Sequence, residues 1–267
     1  MDQIVFFWVG NNNEIPSLFV NSIRLVDKNN IKIIQITDYK TEAVKKIDEV
    51  IRYQLPKDIM LARLKGFSLI NTTNDNTFFC DADSLLLNKL RLDSFEKGIY
   101  LAKRNKNFYL NSSYPEHYPE FVNKTIFEIM PFLFGGIIVI KRKNFFSELF
   151  KFCTKLPERF HRWYGDQVSL YMYYLQHKNK ISFFDQEEFL HLIGSKKKYP
   201  IINVEQLKMQ NIKFITFKGP QSIDRIKESF NDLSKILKKK SFVLNFIIKV
   251  FHFFTKFTIY RIYCFNI

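Results

Sequence analysis

Asn76-Thr77-Phe78-Phe79-Cys80-Asp81-Ala82-Asp83 is the stretch on which the reading of this chain turns: an apolar run of strand character gives way abruptly to two carboxylates. That pattern predicts a buried strand with an Asp pair presented at its carboxyl end. Carboxylate oxygens are hard ligands suited to Mg²⁺ or Mn²⁺, and either ion usually shares its shell with substrate phosphates and water. The same triplet also fits a plain turn or a helix cap, so its neighbours have to decide.

Upstream, Ile4 to Val9 is a continuous apolar run ended by Gly10-Asn11-Asn12-Asn13, as expected for a buried parallel strand entering a loop. Pro16 opens a predicted helix whose Leu18, Phe19, Ile23 and Leu25 share one side, and Ile31 to Ile36 is a second strand closing on Thr37-Asp38. Val50-Ile51 reads as a short edge strand, and Asp58 to Leu69 as a helix with Met60, Leu61, Leu64 and Phe67 inward. Downstream come a strand over Lys97 to Lys103, a loop over Asn105 to Glu120, a strand with a Gly pair within Met130 to Ile140, and helices over Asn144 to Lys155 and from Gly165. Strands alternating with helices predict an α/β domain with a mostly parallel sheet, whose ligands bind beyond the carboxyl ends of the strands. Asp81 and Asp83 fall at such an end.

The 267 residues suit one main domain, placed at 1–225, followed by a tail over 226–267. Lys and Arg number 41 against 26 Asp and Glu, and the net charge of +15 calls for an anionic partner. From Ser234 onward Lys235, Lys238, Lys239, Lys240, Lys249, Lys256 and Arg261 meet no acidic residue. Beyond Ser241, Asn245, Lys249, His252, Lys256 and Tyr260 line one side of a helix otherwise rich in Phe and Ile. Such a helix suits an anionic membrane surface better than a span. No nucleic acid is expected as partner, because the basic residues gather in an apolar tail and no nucleic-acid-binding signature appears. Cys80, Cys153 and Cys264 form no paired motif, which fits a reducing compartment, and Cys80 reads as a small apolar core residue. The start of the chain lacks the pattern of a secretory leader. The expectation is a cytoplasmic protein held peripherally at the inner face of the membrane.

In order and spacing, four segments resemble the nucleotide-sugar glycosyltransferases of the GT-A fold, most nearly the family 8 retaining hexosyltransferases and related bacterial surface-glycan enzymes. They are Ala62-Arg63-Leu64, the strand ending in Asp81-Ala82-Asp83, Phe134-Gly135-Gly136, and Gly165-Asp166-Gln167. The resemblance implies a Mn²⁺- or Mg²⁺-dependent transfer of a hexose from a UDP-sugar to a glycan or lipid-linked acceptor of lipopolysaccharide type, with retention. It implies that Asp81 and Asp83 hold the metal, that Arg63 lies near the donor, that Gly135 and Gly136 lie by the donor sugar, and that Asp166 and Gln167 stand beside the reacting carbon. Phe134 departs from the family, which has Asn there.

The family's His-x-x-Gly-x-x-Lys element, which supplies a third metal ligand and a phosphate-binding Lys, is matched in spacing by His191-Leu192-Ile193-Gly194 through Lys197. Ile212 to Pro220 offers a competing strand with Lys218-Gly219 but no His, and the choice stays open. Trp8, Val9 and Gly10 are candidates for the nucleotide, Trp8 also reading as core, while Asp38 suits either the base and ribose or a turn. His161-Arg162-Trp163 is a candidate lining for the acceptor. The same Asp pair would also serve a metal-dependent nucleotidyltransferase or phosphohydrolase.

Overall fold

The structure is a computed structural model that describes residues 1–27, 30–110, 118–185, 189–193, 202–217 and 223–239, with backbone alone for 185 and 190–193. The chain opens as β1 (Asp2–Phe7), α1 (Glu14–Asp27), β2 (Lys32–Thr37) and β3 (Glu49–Arg52). Next come α2 (Ile59–Phe67), β4 (Asn76–Cys80), β5 (Ser84–Leu86) and β6 (Gly98–Lys103). The middle holds α3 (Ile126–Ile129), β7 (Phe132–Ile140), α4 (Phe145–Thr154), α5 (Glu158–Arg162) and α6 (Gly165–His177). β8 (Ile181–Asp185), β9 (Leu190–Ile193), a short helix Val204–Met209, β10 (Phe214–Phe217) and a helix over 223–239 complete the described residues.

Seven strands form the main sheet in the order β3-β2-β1-β4-β7-β6-β8. The β1–β2, β1–β4, β2–β3 and β6–β8 pairs are parallel, and β7 runs antiparallel to both β4 and β6. The α/β fold class expected from alternation is the one observed.

β4 shows why its run is apolar without interruption. Phe78 and Cys80 pack on one face of the sheet with Phe6, Phe19 and Ile138, while Phe79 packs on the other with Leu64, Phe67, Phe146 and Leu170. A strand covered on both faces needs apolar residues at successive positions rather than at alternate ones. α1 covers the first face, and α2, α4 and α6 cover the second. Phe67 sets its ring edge-on to Phe79 and Phe146 at centroid separations of 5.0 and 5.1 Å, and emptying an aromatic position of this kind to Ala costs about 3–5 kcal/mol.

Leu25 is a correction: it is 39% exposed, since it stands two residues beyond the buried Ile23, roughly 200° around the helix. Cys80 is a buried free thiol, as expected.

After β1 the chain builds outward through β2 and β3, then crosses to the opposite flank of β1 with β4. This is a topological switch point, where the loops leaving two adjacent parallel strands part and open a crevice. β1 and β4 are in register with Phe6 opposite Cys80, so the next step sets Asp81 beside Phe7, one residue before Trp8.

A second, three-stranded sheet of order β5-β10-β9 stands against this edge. β5 begins one residue after Asp83. The helix over 223–239 packs its Ile226 and Leu233 against Leu85, Val204, Ile215 and Phe217 of this small sheet and its surroundings. Residues 240–267, on which most of the tail reading falls, lie outside the described residues.

Candidate active site

Asp81, the first residue past β4, is set by what lies beside it on β7. Cys80 pairs with Gly136 across the antiparallel ladder, and the next step brings Asp81 over Gly135. A Cβ built on Gly135 would meet Oδ2 of Asp81 at 2.7 Å and its Cγ at 3.2 Å. The missing side chain is therefore the recess in which the carboxylate sits. This is a close-approach glycine, and it explains why the Gly pair and the Asp pair occur together in the chain.

Arg63, on α2, donates from Nη1 to Oδ1 of Asp81 at 2.9 Å, and its Nη2 pairs with Oδ2 of Asp166 at the start of α6. Asp166 is fully buried, and the Arg63 and Asp81 side chains are only 18% and 20% exposed. One guanidinium thus ties the end of β4 to the beginning of α6. Burial pulls the guanidinium below its ordinary value while Asp81 and then Asp83 hold it up, and an arginine in such company stays cationic. Phe134 is buried and lays its ring beneath this guanidinium, with Arg63 Cζ 4.4 Å from the centroid. Phe134 thus gives Arg63 a cation–π support.

Asp83 is held from far along the chain. The Thr216 hydroxyl lies 3.2 Å from its Oδ1, and the Phe217 N–H donates to its carbonyl at 2.9 Å. These bonds continue the pairing of Ser84 with Thr216. β10 pairs in parallel with β9, placing Ile215 opposite His191 and Phe217 opposite Ile193. The two C-terminal segments that compete for the third-ligand role are thus neighbouring strands, and both leave the small sheet beside Asp83. For His191 only the backbone position is described, and Lys197, Lys218 and Gly219 lie outside the described residues.

Two carboxylates at one strand edge, one of them seated in a recess shaped by a glycine, form an oxygen donor set that fits a hard divalent cation. Among the described residues no group of three or more His, Cys, Asp or Glu side chains comes together to hold an ion. Substrate phosphates and water commonly supply the remaining positions for Mg²⁺.

At the neighbouring strand ends Gly10 takes φ of 137°, a value L side chains seldom adopt, and its N–H donates to the Thr41 hydroxyl at 3.0 Å. Asp38 Oδ1 accepts from the N–H groups of Lys40 and Thr41 at 3.0 and 2.6 Å, with the Thr41 bond leading the lowering of its carboxyl below the usual range. Arg52 donates to the carbonyls of Asp38 and Thr41 and closes the turn. Trp8 packs against the core while its buried Nε1 finds no hydrogen-bond partner among the described residues, and Val9 links it to Gly10. These residues line the crevice wall nearest β1 and β2.

α6 begins tightly. Tyr164 precedes it at φ of 66°, unusual for a residue with a side chain, and a Cβ on Gly165 would lie 2.3 Å from the Phe160 carbonyl oxygen. Gln167 N–H donates to Oδ1 of Asp166 at 2.7 Å, so the acid also caps its own helix turn. Of the acceptor candidates, His161 is turned to the Cys153 carbonyl at 2.9 Å, whereas Trp163 is 56% exposed. The site residue that no motif marked is Arg104, just past β6, whose Nη2 reaches Oε1 of Gln167 at 2.5 Å. Arg104, Lys103 and Lys106 look alike in a basic stretch, and only the tertiary fold tells them apart.

No family model matches the chain, and no curated protein does. Among solved structures the chain is similar to a crystal structure of the galactosyltransferase LgtC in complex with donor and acceptor sugar analogs. The TM-score is 0.52 and the identity 13%, over 86% of this chain and 95% of that one. An active-site mutant of LgtC, in which Glu replaces Gln, matches with a TM-score of 0.53 at the same identity and coverage. At this identity the likeness is one of fold, and the fold of the chain is GT-A.

Proposed function

We propose that this chain is a hexosyltransferase that uses Mn²⁺ or Mg²⁺ to move a hexose from a UDP-sugar to a glycan or lipid-linked acceptor, with retention. The observation that carries the reading is the Arg63 clamp, which joins the Asp81 end of β4 to Asp166 of α6. A site for diphosphate needs hard oxygen ligands, and a site for the sugar needs fixed polar groups a few ångströms farther on; this clamp supplies both from one network. The structurally similar LgtC was crystallised with donor and acceptor sugar analogs, and one of its active-site residues is a Gln, which suits a place for Gln167 beside the donor sugar.

A divalent ion on Asp81 and Asp83, when bound, neutralises the donor diphosphate and the charge that builds on the departing nucleotide. The chain's own residues do the positioning. Gly135 leaves room for Asp81, Arg63 orients both Asp81 and Asp166, and Thr216 steadies Asp83. Asp166 and Gln167 face the donor sugar, while Trp8, Val9, Gly10 and Asp38 flank the nucleotide. In this reading His191, Lys197, Lys218 and Gly219 are assigned to the metal and the phosphates. Trp163 offers an exposed aromatic face to the acceptor.

Incubation with a panel of nucleotide sugars and Mn²⁺, following free UDP, tests the reading. The expected result is UDP release from a UDP-hexose, stimulated by a glycan acceptor and lost with chelator. Release of pyrophosphate or of sugar phosphate instead would make the chain a nucleotidyltransferase or phosphohydrolase.

The proposal includes attachment to an anionic membrane surface through residues 240–267. Among the described residues no helix is long and apolar enough to cross a membrane. Removing 240–267 spares the docked helix over 223–239 and is expected to abolish flotation with anionic vesicles while donor hydrolysis persists. Unchanged flotation of the shortened protein would end the membrane reading.

A further inference from the structure

Arg104 belongs to none of the motifs, yet it is built into the site from two sides. Its backbone N–H donates to the Pro131 carbonyl at 2.9 Å, and its Nε donates to the Met130 carbonyl at 2.8 Å. Both acceptors stand immediately before β7, the strand that carries Gly135 and Gly136. The guanidinium is thereby fixed to the same strand that shapes the seat of Asp81. Burial lowers it to about 10 while Tyr164 holds it up, so it is cationic at neutral pH. From this anchorage Nη2 donates to Oε1 of Gln167.

A guanidinium carries N–H donors and no acceptor, so the atom of the Gln167 amide that faces it has to be the oxygen. An isolated amide leaves the choice between its two ends open; this pairing settles it. One lone pair of the Gln167 carbonyl is engaged by a cation, which fixes the oxygen end toward Arg104 and turns the NH₂ the other way.

We infer that Arg104 is a positioning residue, holding the Gln167 carbonyl so that the amide NH₂ is turned to the donor sugar and Gln167 acts there as a hydrogen-bond donor. The inference rests on the reading of this site as a sugar-transfer centre. Under it, the Gln167 oxygen, already engaged by a cation, is the poorer electron donor, and the NH₂ is the end that meets the sugar.

The test is a double-mutant cycle on the full chain, with the nucleotide sugar found active in the panel. Arg104→Met is expected to lower kcat by about 10²-fold with little change in KM, the scale on which a misplaced group costs rate. In a Gln167→Ala background the same change should lower kcat by less than about 3-fold, since its target is already gone. Arg104→Lys keeps the charge without the planar fork and should recover part of kcat. Gln167→Glu retains an acceptor for Arg104 but has no N–H, and its kcat should fall as far as that of Gln167→Ala. Equal losses from Arg104→Met in both backgrounds, or full kcat in Gln167→Glu, would overturn the inference and leave the functional reading intact. If the unaltered protein turns over no nucleotide sugar, the functional reading fails first.

Discussion

Asp81→Asn is expected to lower UDP release by about 10³-fold, the scale on which one preorganised charge contact counts in a transition state, while the protein still melts cooperatively near the parent temperature. The substitution keeps the shape that fits over Gly135 and removes only the charge. Arg63 retains its partner Asp166, so no buried charge is orphaned and the fold has no reason to suffer. Calorimetry in the presence of UDP should show the Mn²⁺ heat of the parent protein disappear in the variant. Full turnover by Asp81→Asn would remove Asp81 from the metal site and with it the main support of the functional reading. Chelation of the parent protein should reproduce the same loss, and added Mn²⁺ should reverse it there and not in the variant.

Arg63→Met should be the most damaging single change to stability among the site residues, by about 3–5 kcal/mol at neutral pH. The reason is Asp166, whose carboxylate is fully buried and has Arg63 as its counter-charge. Without the guanidinium the carboxyl takes up a proton more readily than in the unfolded chain, which raises its folded value. Stability of the variant is then greatest at low pH and is lost as pH rises through that raised value, so the deficit against the parent narrows on acidification. Denaturant melts between mildly acid and neutral pH measure this. Adding Asp166→Asn to Arg63→Met should restore much of the stability and none of the activity. A deficit independent of pH would mean that Arg63 stabilises through its packing on Phe134 rather than through charge.

The main sheet was legible because its strands are covered on both faces, and burial of that kind writes continuous apolar runs such as Ile4 to Val9 and Phe78 to Cys80. The edge strand Glu49–Arg52 and the helices Ile59–Phe67 and Phe145–Thr154 fall within a few residues of where periodicity places them. The small sheet was not legible. Ser84–Leu86 and Leu190–Ile193 are too short to show a period, and nothing local says that strands so far apart in the chain meet through Phe214–Phe217. That His191 and the Phe214–Phe217 strand are neighbours in one sheet is a relation no one-dimensional reading contains.

The site shows the same division. Asp81, Gly135 and Asp166 could be picked out because short ordered motifs carry them. What a side chain at Gly135 would displace is the Asp81 carboxylate, through a 2.7 Å approach that no spacing encodes. The Phe134 departure likewise makes sense only once Arg63 is seen lying on its ring. Arg104 carries no local mark, because its importance comes from a contact with Gln167, 63 residues away.

The bonds from Thr216 and Phe217 to Asp83 span more than 130 residues of chain. On the ribosome, where elongation runs at about 5–20 residues per second, the main strands are made well before β10 can join β5. The nascent protein therefore passes through an interval in which its main sheet can form while Asp83 still lacks its partners on β10. Asp83 is thus fixed in place only late in synthesis, once β10 has emerged.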